Sequence, residues 1–184
     1  MSNSALYDLG GLNVLLVDDN IHMRRIIRSI LNAFGVKDIT EAEDTSSGLK
    51  EALNTNLDLI ICSWLMDVIE GPEFVKLIRC GENSVNPYIP IIMMSTFTER
   101  YRVIQARDAG VNEFLAKPVS PASLYQRIGS IIEKPRPFVR TATFFGPCRR
   151  RRTMGPPHGI AERRQADPTP TAVKTEKLRD VAQG

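Results

Sequence analysis

Small polar and charged side chains follow the apolar runs of this sequence, at the points where buried strands would end. Asp18 and Asp19 come directly after one run, Ser63 after a second, Ser95 after a third and Lys117 after a fourth. In an open α/β sheet, chemistry takes place beyond the carboxyl ends of the strands. The chain is organised around the run that ends at Ser63, and a serine hydroxyl acts as a nucleophile only when a general base activates it. We therefore expect these positions to hold the chemistry of the chain.

A second set of chemical groups lies near the C-terminus and consists of arginines. Guanidinium groups bind phosphates through paired hydrogen bonds and stack on bases or aromatic rings, so an arginine cluster close to Phe144 and Phe145 suits a nucleotide or a nucleic acid. The alternative interpretation is a solvated basic tail with non-specific electrostatics. The candidate ligand-binding residues are Arg149, Arg150, Arg151, Arg152, Arg163 and Arg164.

The charge of the chain is divided unevenly between its two parts. Residues 1–134 contain 13 basic and 17 acidic side chains, a net charge of −4, whereas residues 135–184 contain 11 and 4, a net charge of +7. Residues 135–184 also hold seven of the twelve prolines and few long aliphatic side chains. Such a segment does not support a second core, so we expect residues 135–184 to be a Pro/Arg-rich disordered tail.

The cellular location is predicted from absent signals and from the cysteines. No apolar run approaches the ~20 residues needed to span a bilayer, and the N-terminus lacks a basic start followed by an apolar core. Cys62, Cys80 and Cys148 are an odd number of cysteines at unrelated spacings, which favours free thiols in a reducing compartment. The predicted location is therefore cytoplasmic.

Residues 11–134 alternate between strand patterns and helix patterns. The predicted strands are short apolar runs, except for a weakly alternating edge strand, and the predicted helices have apolar residues at helical spacing. This alternation, with short loops, predicts a doubly wound α/β domain whose five-stranded parallel sheet is covered by helices on both faces. The strands are predicted over 13–17, 38–42, 59–62, 88–94 and 112–116. The helices are predicted over 21–34, over 45–53 with a Thr or Ser cap, over 72–79 and 98–109, and from the cap Ser120 to about residue 133.

Four motifs, in this order, carry a resemblance to a known family. They are VDDN after the first predicted strand, the segment from Asp58 to Gly71, MMST after the fourth strand and AKP after the fifth. With this spacing, residues 11–134 resemble the receiver domain of two-component response regulators, which has a CheY-like, flavodoxin-like fold. The resemblance implies a signal transduction protein of the phosphorelay type and not an enzyme.

The resemblance also implies roles for the residues at the strand ends. In this family, two acids after the first strand hold Mg²⁺, and an aspartate that ends the third strand accepts a phosphoryl group from a kinase histidine. Carried over by motif, this implies Mg²⁺ at Asp18 and Asp19, phosphoryl contacts from Ser95 and Lys117, and Phe114 at the aromatic switch position. It further implies a protein partner on the face formed by the fourth helix, the fifth strand and the fifth helix.

The phosphoacceptor position holds Ser63, and here the sequence departs from the family pattern. An aspartate is already ionised at neutral pH, whereas a serine needs a general base and would form a phosphate ester in place of a labile acyl phosphate. Mg²⁺ prefers octahedral sites rich in carboxylate oxygens, and the substitution leaves two carboxylates. The sequence therefore predicts an atypical receiver that acts by protein–protein interaction, with Mg²⁺ binding weakened or lost.

The pocket residues also have structural interpretations. The two acids after the first strand could serve as a helix cap, without a metal. Lys117 is favoured as the partner of a pocket acid in an internal salt bridge, Ser95 as a hydrogen-bonding partner of backbone groups, and Phe114 as a packing residue. Trp64 either covers the pocket or belongs to a partner surface, and the sequence leaves these two interpretations open.

A second resemblance concerns the basic tail. Its segment RRRRTMGPPHGIAERR resembles the arginine-rich appendages of receiver-like proteins that are cyclic di-GMP effectors. The alternative function is therefore a sensor that binds cyclic di-GMP, or another nucleotide, through the six arginines named above. RNA or DNA binding is ranked below it, since a tail with a charge of +7 binds nucleic acid without any base readout.

Overall fold

The computed structural model describes residues 7–81, 84, 86–141, 144–148 and 165–166. Within these residues the strands are Asn13–Val17 (β1), Asp38–Ala42 (β2), Leu59–Ser63 (β3), Ile91–Ser95 (β4), Glu113–Ala116 (β5), Phe138–Thr141 (β6), Phe144–Pro147 (β7) and Gln165–Ala166 (β8). The helices are Ile21–Ala33 (α1), Thr45–Asn54 (α2), Gly71–Cys80 (α3), Arg100–Ala109 (α4) and Pro121–Glu133 (α5).

The first five strands form one parallel sheet in the order β2-β1-β3-β4-β5, which confirms the predicted doubly wound fold. Every residue of β3 and β4 is buried, as expected for central strands covered on both faces. One core cluster joins the sheet to α1 and α5, and the other joins it to α3 and α4, with residues of α2 packed against it. The helices are therefore divided between the two faces of the sheet.

Capping side chains explain where three of the five described helices begin. Asn20 accepts hydrogen bonds from the backbone N–H groups of His22 and Met23 and so begins α1. Ser120 and Ser123 form a reciprocal capping box at the start of α5, which confirms the predicted cap. The predicted Thr or Ser cap of α2 is wrong, because the capping side chain is that of Asp44.

The region after α5 differs from its prediction. Strands β6 and β7 form an antiparallel hairpin, and β8 pairs with the other side of β6. Phe138, Val139 and Phe145 of the hairpin are buried, and the rings of Phe138 and Phe145 pack at 5.1 and 5.2 Å from the ring of Tyr88, which precedes β4. Predicted disorder is therefore wrong for the hairpin, because its aromatic side chains extend an existing core and do not need one of their own.

Most of the remaining C-terminal segment lies outside the described residues, and the division of the chain at residues 134 and 135 stays a prediction. Within the part of the chain that the structure describes, no helix has the length and apolar character that crossing a membrane requires.

Candidate functional site

The strand register brings the predicted pocket residues to one edge of the sheet. Val17 of β1 lies beside Cys62 of β3, Ser63 lies beside Met94 of β4, and Ser95 lies beside Ala116 of β5. The residues that end β3 and β4, and those that follow β1 and β5, are therefore level with one another. Because the strands are parallel, all of them stand at the carboxyl edge of the sheet, where an open α/β fold places its chemistry.

Lys117 is the centre of this site. Its Nζ donates a hydrogen bond to Asp18 Oδ2 at 2.7 Å and to Ser63 Oγ at 3.0 Å. The Asp18 side chain is completely buried, and the Lys117 side chain is only 13% exposed. The other carboxylate oxygen of Asp18 accepts the backbone N–H of Asn20 at 3.0 Å. Asp18, Ser63 and Lys117 thus form one closed polar cluster in which the lysine neutralises the buried carboxylate.

The other predicted pocket residues do not join this cluster. Asp19 is exposed at the end of β1. Ser95 is buried, and its hydroxyl accepts the backbone N–H of Phe97 at 2.9 Å, the type of bond that the structural interpretation predicted. Phe114 is partly buried against the core cluster that contains α3 and α4. Its ring lies in a groove between α4 and β5, which Val103 and Ala106 also line.

Trp64 follows the pocket serine and is completely buried, so it is not a residue of an exposed partner surface. The guanidinium of Arg102, from α4, lies over its ring at 5.2 Å and over the ring of Phe97 at 5.0 Å. Arg102 Nε also donates to the hydroxyl of Tyr101 at 3.0 Å. The stack links α4 to the residue next to Ser63. Sequence reasoning missed it, because no spacing rule pairs two residues 38 positions apart.

The donor set of the pocket fits Mg²⁺ poorly. Both oxygens of Asp18 already accept hydrogen bonds, one of them from an ammonium group, and Ser63 supplies a neutral hydroxyl. Among the described residues, no group of three or more His, Cys, Asp or Glu side chains is arranged to hold a metal ion. Binding of Mg²⁺ at Asp18 would require the lysine to move away from the carboxylate, since a cation and an ammonium group compete for the same oxygen.

The opposite, amino edge of the sheet contains a buried cation that sequence reasoning also missed. Arg79 is 3% exposed, and its guanidinium donates to the carbonyls of Gly110, Pro87 and Ile89 and to the Asn112 side chain at 2.7–3.0 Å. Burial lowers the pKa of the Arg79 guanidinium from its ordinary value to about 9. Its position in the last turn of a helix resembles that of an ordinary surface arginine, so the sequence contains no signal for its burial.

Comparisons with known proteins agree with this arrangement. The family description "Response regulator receiver domain" matches residues 14–129. The chain belongs to the response regulator receiver family. Chemotaxis protein CheY-3 of Vibrio cholerae is 30% identical to this receiver over 123 residues, which cover 67% of this chain and 93% of the relative. Chemotaxis protein CheY of Pseudomonas aeruginosa is also 30% identical, with 98% of its length covered.

Solved structures support the same assignment. The chemotaxis response regulator CheY4 of Vibrio cholerae is 29% identical to this receiver and superposes with a TM-score of 0.60, covering 65% of this chain and 98% of that one. The shared part is thus the α/β domain with its five-stranded sheet. The six arginines predicted to bind a nucleotide lie outside the described residues. Cyclic di-GMP binding finds no support in the relatives and stays an untested prediction.

Proposed function

We propose that this chain is an atypical receiver of two-component signalling that acts through protein–protein contact and does not accept a phosphoryl group. Family membership supports the signalling role. The observation that carries the finer proposal is the bridge from Lys117 Nζ to Asp18 Oδ2 and Ser63 Oγ. This bridge ties the pocket into one hydrogen-bonded unit and, within the part of the chain that the structure describes, sets an ammonium group and not a base against the Ser63 hydroxyl.

The chemistry of the cluster argues against a reactive serine. A serine nucleophile needs a neighbouring group that takes its proton. Here the neighbour of the Ser63 hydroxyl is an ammonium donor, which is held by the Asp18 carboxylate at 2.7 Å. Ser63 is also only 2% exposed, so an incoming phosphodonor does not reach its hydroxyl while the cluster is closed. In this proposal the protein is not an enzyme, and its location is cytoplasmic.

The proposed output surface is the face formed by α4, β5 and α5, with a protein as its partner. The groove at Phe114 lies on this face, and two arginines, Arg107 and Arg136, line it together with apolar side chains. An ion pair between the buried Glu113 and the partly exposed Arg127 joins β5 to α5 and holds the two elements of the face together.

The test compares the wild type with Ser63→Asp. Incubation with acetyl phosphate and Mg²⁺, followed by intact-mass spectrometry, is expected to leave the wild type unmodified and to add one phosphoryl group to Ser63→Asp, because the substitution restores a carboxylate beside Asp18 and Lys117. Ser63→Ala is the matched control and should stay unmodified. A hydroxylamine-sensitive phosphoryl group on the wild-type chain would refute the proposal.

Mg²⁺ binding gives an independent measurement on the same three proteins. Isothermal titration should find weak or undetectable binding to the wild type and to Ser63→Ala, and tighter binding to Ser63→Asp, since position 63 then supplies a third carboxylate for which Mg²⁺ competes with the Lys117 ammonium. Equal affinity in all three proteins would mean that position 63 does not contribute to a metal site.

A further inference from the structure

The hairpin of β6 and β7 packs on the point where α4 ends and β5 begins. Gly110 ends α4 with a φ of +105°, a left-handed conformation that favours glycine, and the carbonyl oxygen of Phe145 lies 3.3 Å from the position a Cβ of Gly110 would occupy. A Cβ added to Gly146 would lie 2.9 Å from the Cα of Gly110. The two backbones are therefore in direct contact, and neither position has room for a side chain.

Two arginines donate hydrogen bonds to the backbone of this junction. Arg136, just before β6, donates hydrogen bonds to the carbonyl of Val111 at 3.1 Å and to that of Asn112. Arg79, from α3, donates to the carbonyl of Gly110 at 3.0 Å and lies 5.1 Å from the centre of the Phe138 ring of the hairpin. The segment that joins α4 to β5 is thus hydrogen-bonded to the residue that precedes the hairpin and to a buried guanidinium that itself contacts the hairpin.

The other end of α4 is held by the stack of Arg102 on Trp64, and the groove of Phe114 runs along the same helix. Arg136 also lines this groove, so a side chain from the C-terminal extension, by which we mean residues 135–148, contributes directly to the α4–β5 surface. The Asp18–Ser63–Lys117 cluster lies at the far edge of the sheet from the hairpin. Of the hairpin and the cluster, the hairpin is the one that contacts the α4–β5 junction.

We propose that the hairpin is a strap that sets the position of α4 relative to β5, so that docking or release of the C-terminal extension controls the α4–β5 surface. The input to this surface then comes from the extension and not from chemistry at Ser63. The inference rests on the proposed function in one respect, because it takes the α4–β5–α5 face as the output surface. Its test needs neither a phosphodonor nor a partner protein.

The test uses the full-length chain with Gly146→Ala, which places a methyl group against the Gly110 backbone. Gly11→Ala is the matched control, because an added Cβ there has no neighbour within 4 Å. Amide hydrogen exchange by mass spectrometry should become about tenfold faster in peptides covering residues 100–114, while peptides covering β1 and β3 keep their wild-type rates. The emission of Trp64, the single tryptophan of the chain, should change as well, since Arg102 moves with α4.

A second variant, Arg136→Gln, keeps the test decisive if Gly146→Ala does not fold. It removes the guanidinium donors to Val111 and Asn112 without adding bulk, and we expect faster exchange in the same peptides by a smaller factor. Faster exchange confined to residues 135–148 would overturn the proposal and make the hairpin a passive cover. Faster exchange that includes β1 and β3 would overturn it too, because the hairpin would then be part of one cooperative core.

The exchange result is distinguishable from failure of the proposed function. Phosphorylation of the wild type would refute the proposed function. The exchange rates of the variants would still be valid evidence for the strap. Unchanged rates in residues 100–114 of both variants would refute the strap and leave the phosphodonor result intact.

Discussion

A largely buried cation lies at each edge of the sheet, Lys117 at one and Arg79 at the other, and the two cations are compensated in different ways. At the carboxyl edge, Lys117 pairs with the carboxylate of Asp18. At the amino edge, Arg79 has neutral acceptors among the described residues, three backbone carbonyls and one side-chain amide, together with the ring of Phe138. An ion pair compensates charge with charge, whereas the guanidinium uses several hydrogen bonds that tie separate elements together. The ion pair closes the pocket at the carboxyl edge, and the guanidinium holds the hairpin against the amino edge.

The difference also concerns what each cation connects. Lys117 joins residues at the ends of β1, β3 and β5, all of which belong to the domain shared with the CheY relatives. Arg79 joins α3 to the α4–β5 junction and to the hairpin, which follows the region that the family description matches. The carboxyl edge therefore lies within the matched domain, whereas the amino edge also contacts a hairpin that follows this domain.

The largest expected effect is at Arg79. Arg79→Met keeps much of the side-chain volume but leaves the carbonyls of Gly110, Pro87 and Ile89 without a donor, and unsatisfied buried acceptors cost about 1–3 kcal/mol each before relaxation. We expect the free energy of unfolding to fall by about 3–5 kcal/mol in urea titrations. The exposed Arg25→Met is the control and should change it by less than about 0.5 kcal/mol. A loss below about 1 kcal/mol for Arg79→Met would contradict the bracing role.

A somewhat smaller effect is expected at Lys117. Lys117→Met leaves a fully buried Asp18 carboxylate without its cation, which should reduce the free energy of unfolding by about 3 kcal/mol. Asp18→Asn in the same chain should restore most of that loss, because the uncompensated charge is then removed. Lys76→Met breaks the exposed pair with Glu73 and should cost less than about 0.5 kcal/mol. No recovery in the double variant would show that the two side chains are not energetically coupled.

The smallest effect is kinetic and concerns Cys62, which lies in β3 next to Ser63. Burial raises the pKa of its thiol from 9.0 to about 12, so the reactive thiolate is scarce at neutral pH. Alkylation with N-ethylmaleimide followed by peptide mapping should modify the exposed Cys80 first and Cys62 last. Lys117→Met, which loosens the adjacent cluster, should accelerate alkylation of Cys62 and leave Cys80 unchanged. Rapid alkylation of Cys62 in the native wild type would mean that the carboxyl edge opens freely.

The same thiol predicts a direction for the pH dependence of stability. The folded state holds the Cys62 proton up to a pKa of about 12, whereas the unfolded chain releases it near 9. Its contribution to stability is therefore fully present below pH 9 and is lost as the pH rises from 9 to 12. Cys62→Ala should remove this part of the alkaline loss, as measured by urea titrations at pH 8 and pH 10.

Much of the domain was determined by the sequence alone. Apolar runs that end in polar residues located four of the five strands of the parallel sheet, because strands covered on both faces carry few polar side chains in their interior. A weak alternation located the edge strand β2. The order of the motifs predicted the family and placed Asp18, Ser63 and Lys117 at one edge of the sheet. Their grouping follows from topology, since the carboxyl ends of parallel strands meet there whatever the loops contain.

Tertiary structure alone decided how those side chains are paired and what covers the other edge. Lys117 is 99 positions from Asp18, so their pairing at 2.7 Å, with Asp19 left exposed, depends on distances that no local pattern encodes. The hairpin was mistaken for disorder because its composition cannot support a separate core. Phe138 and Phe145 instead complete a core that Tyr88 and Arg79 begin, and a segment's own composition does not reveal an apolar surface provided by distant residues.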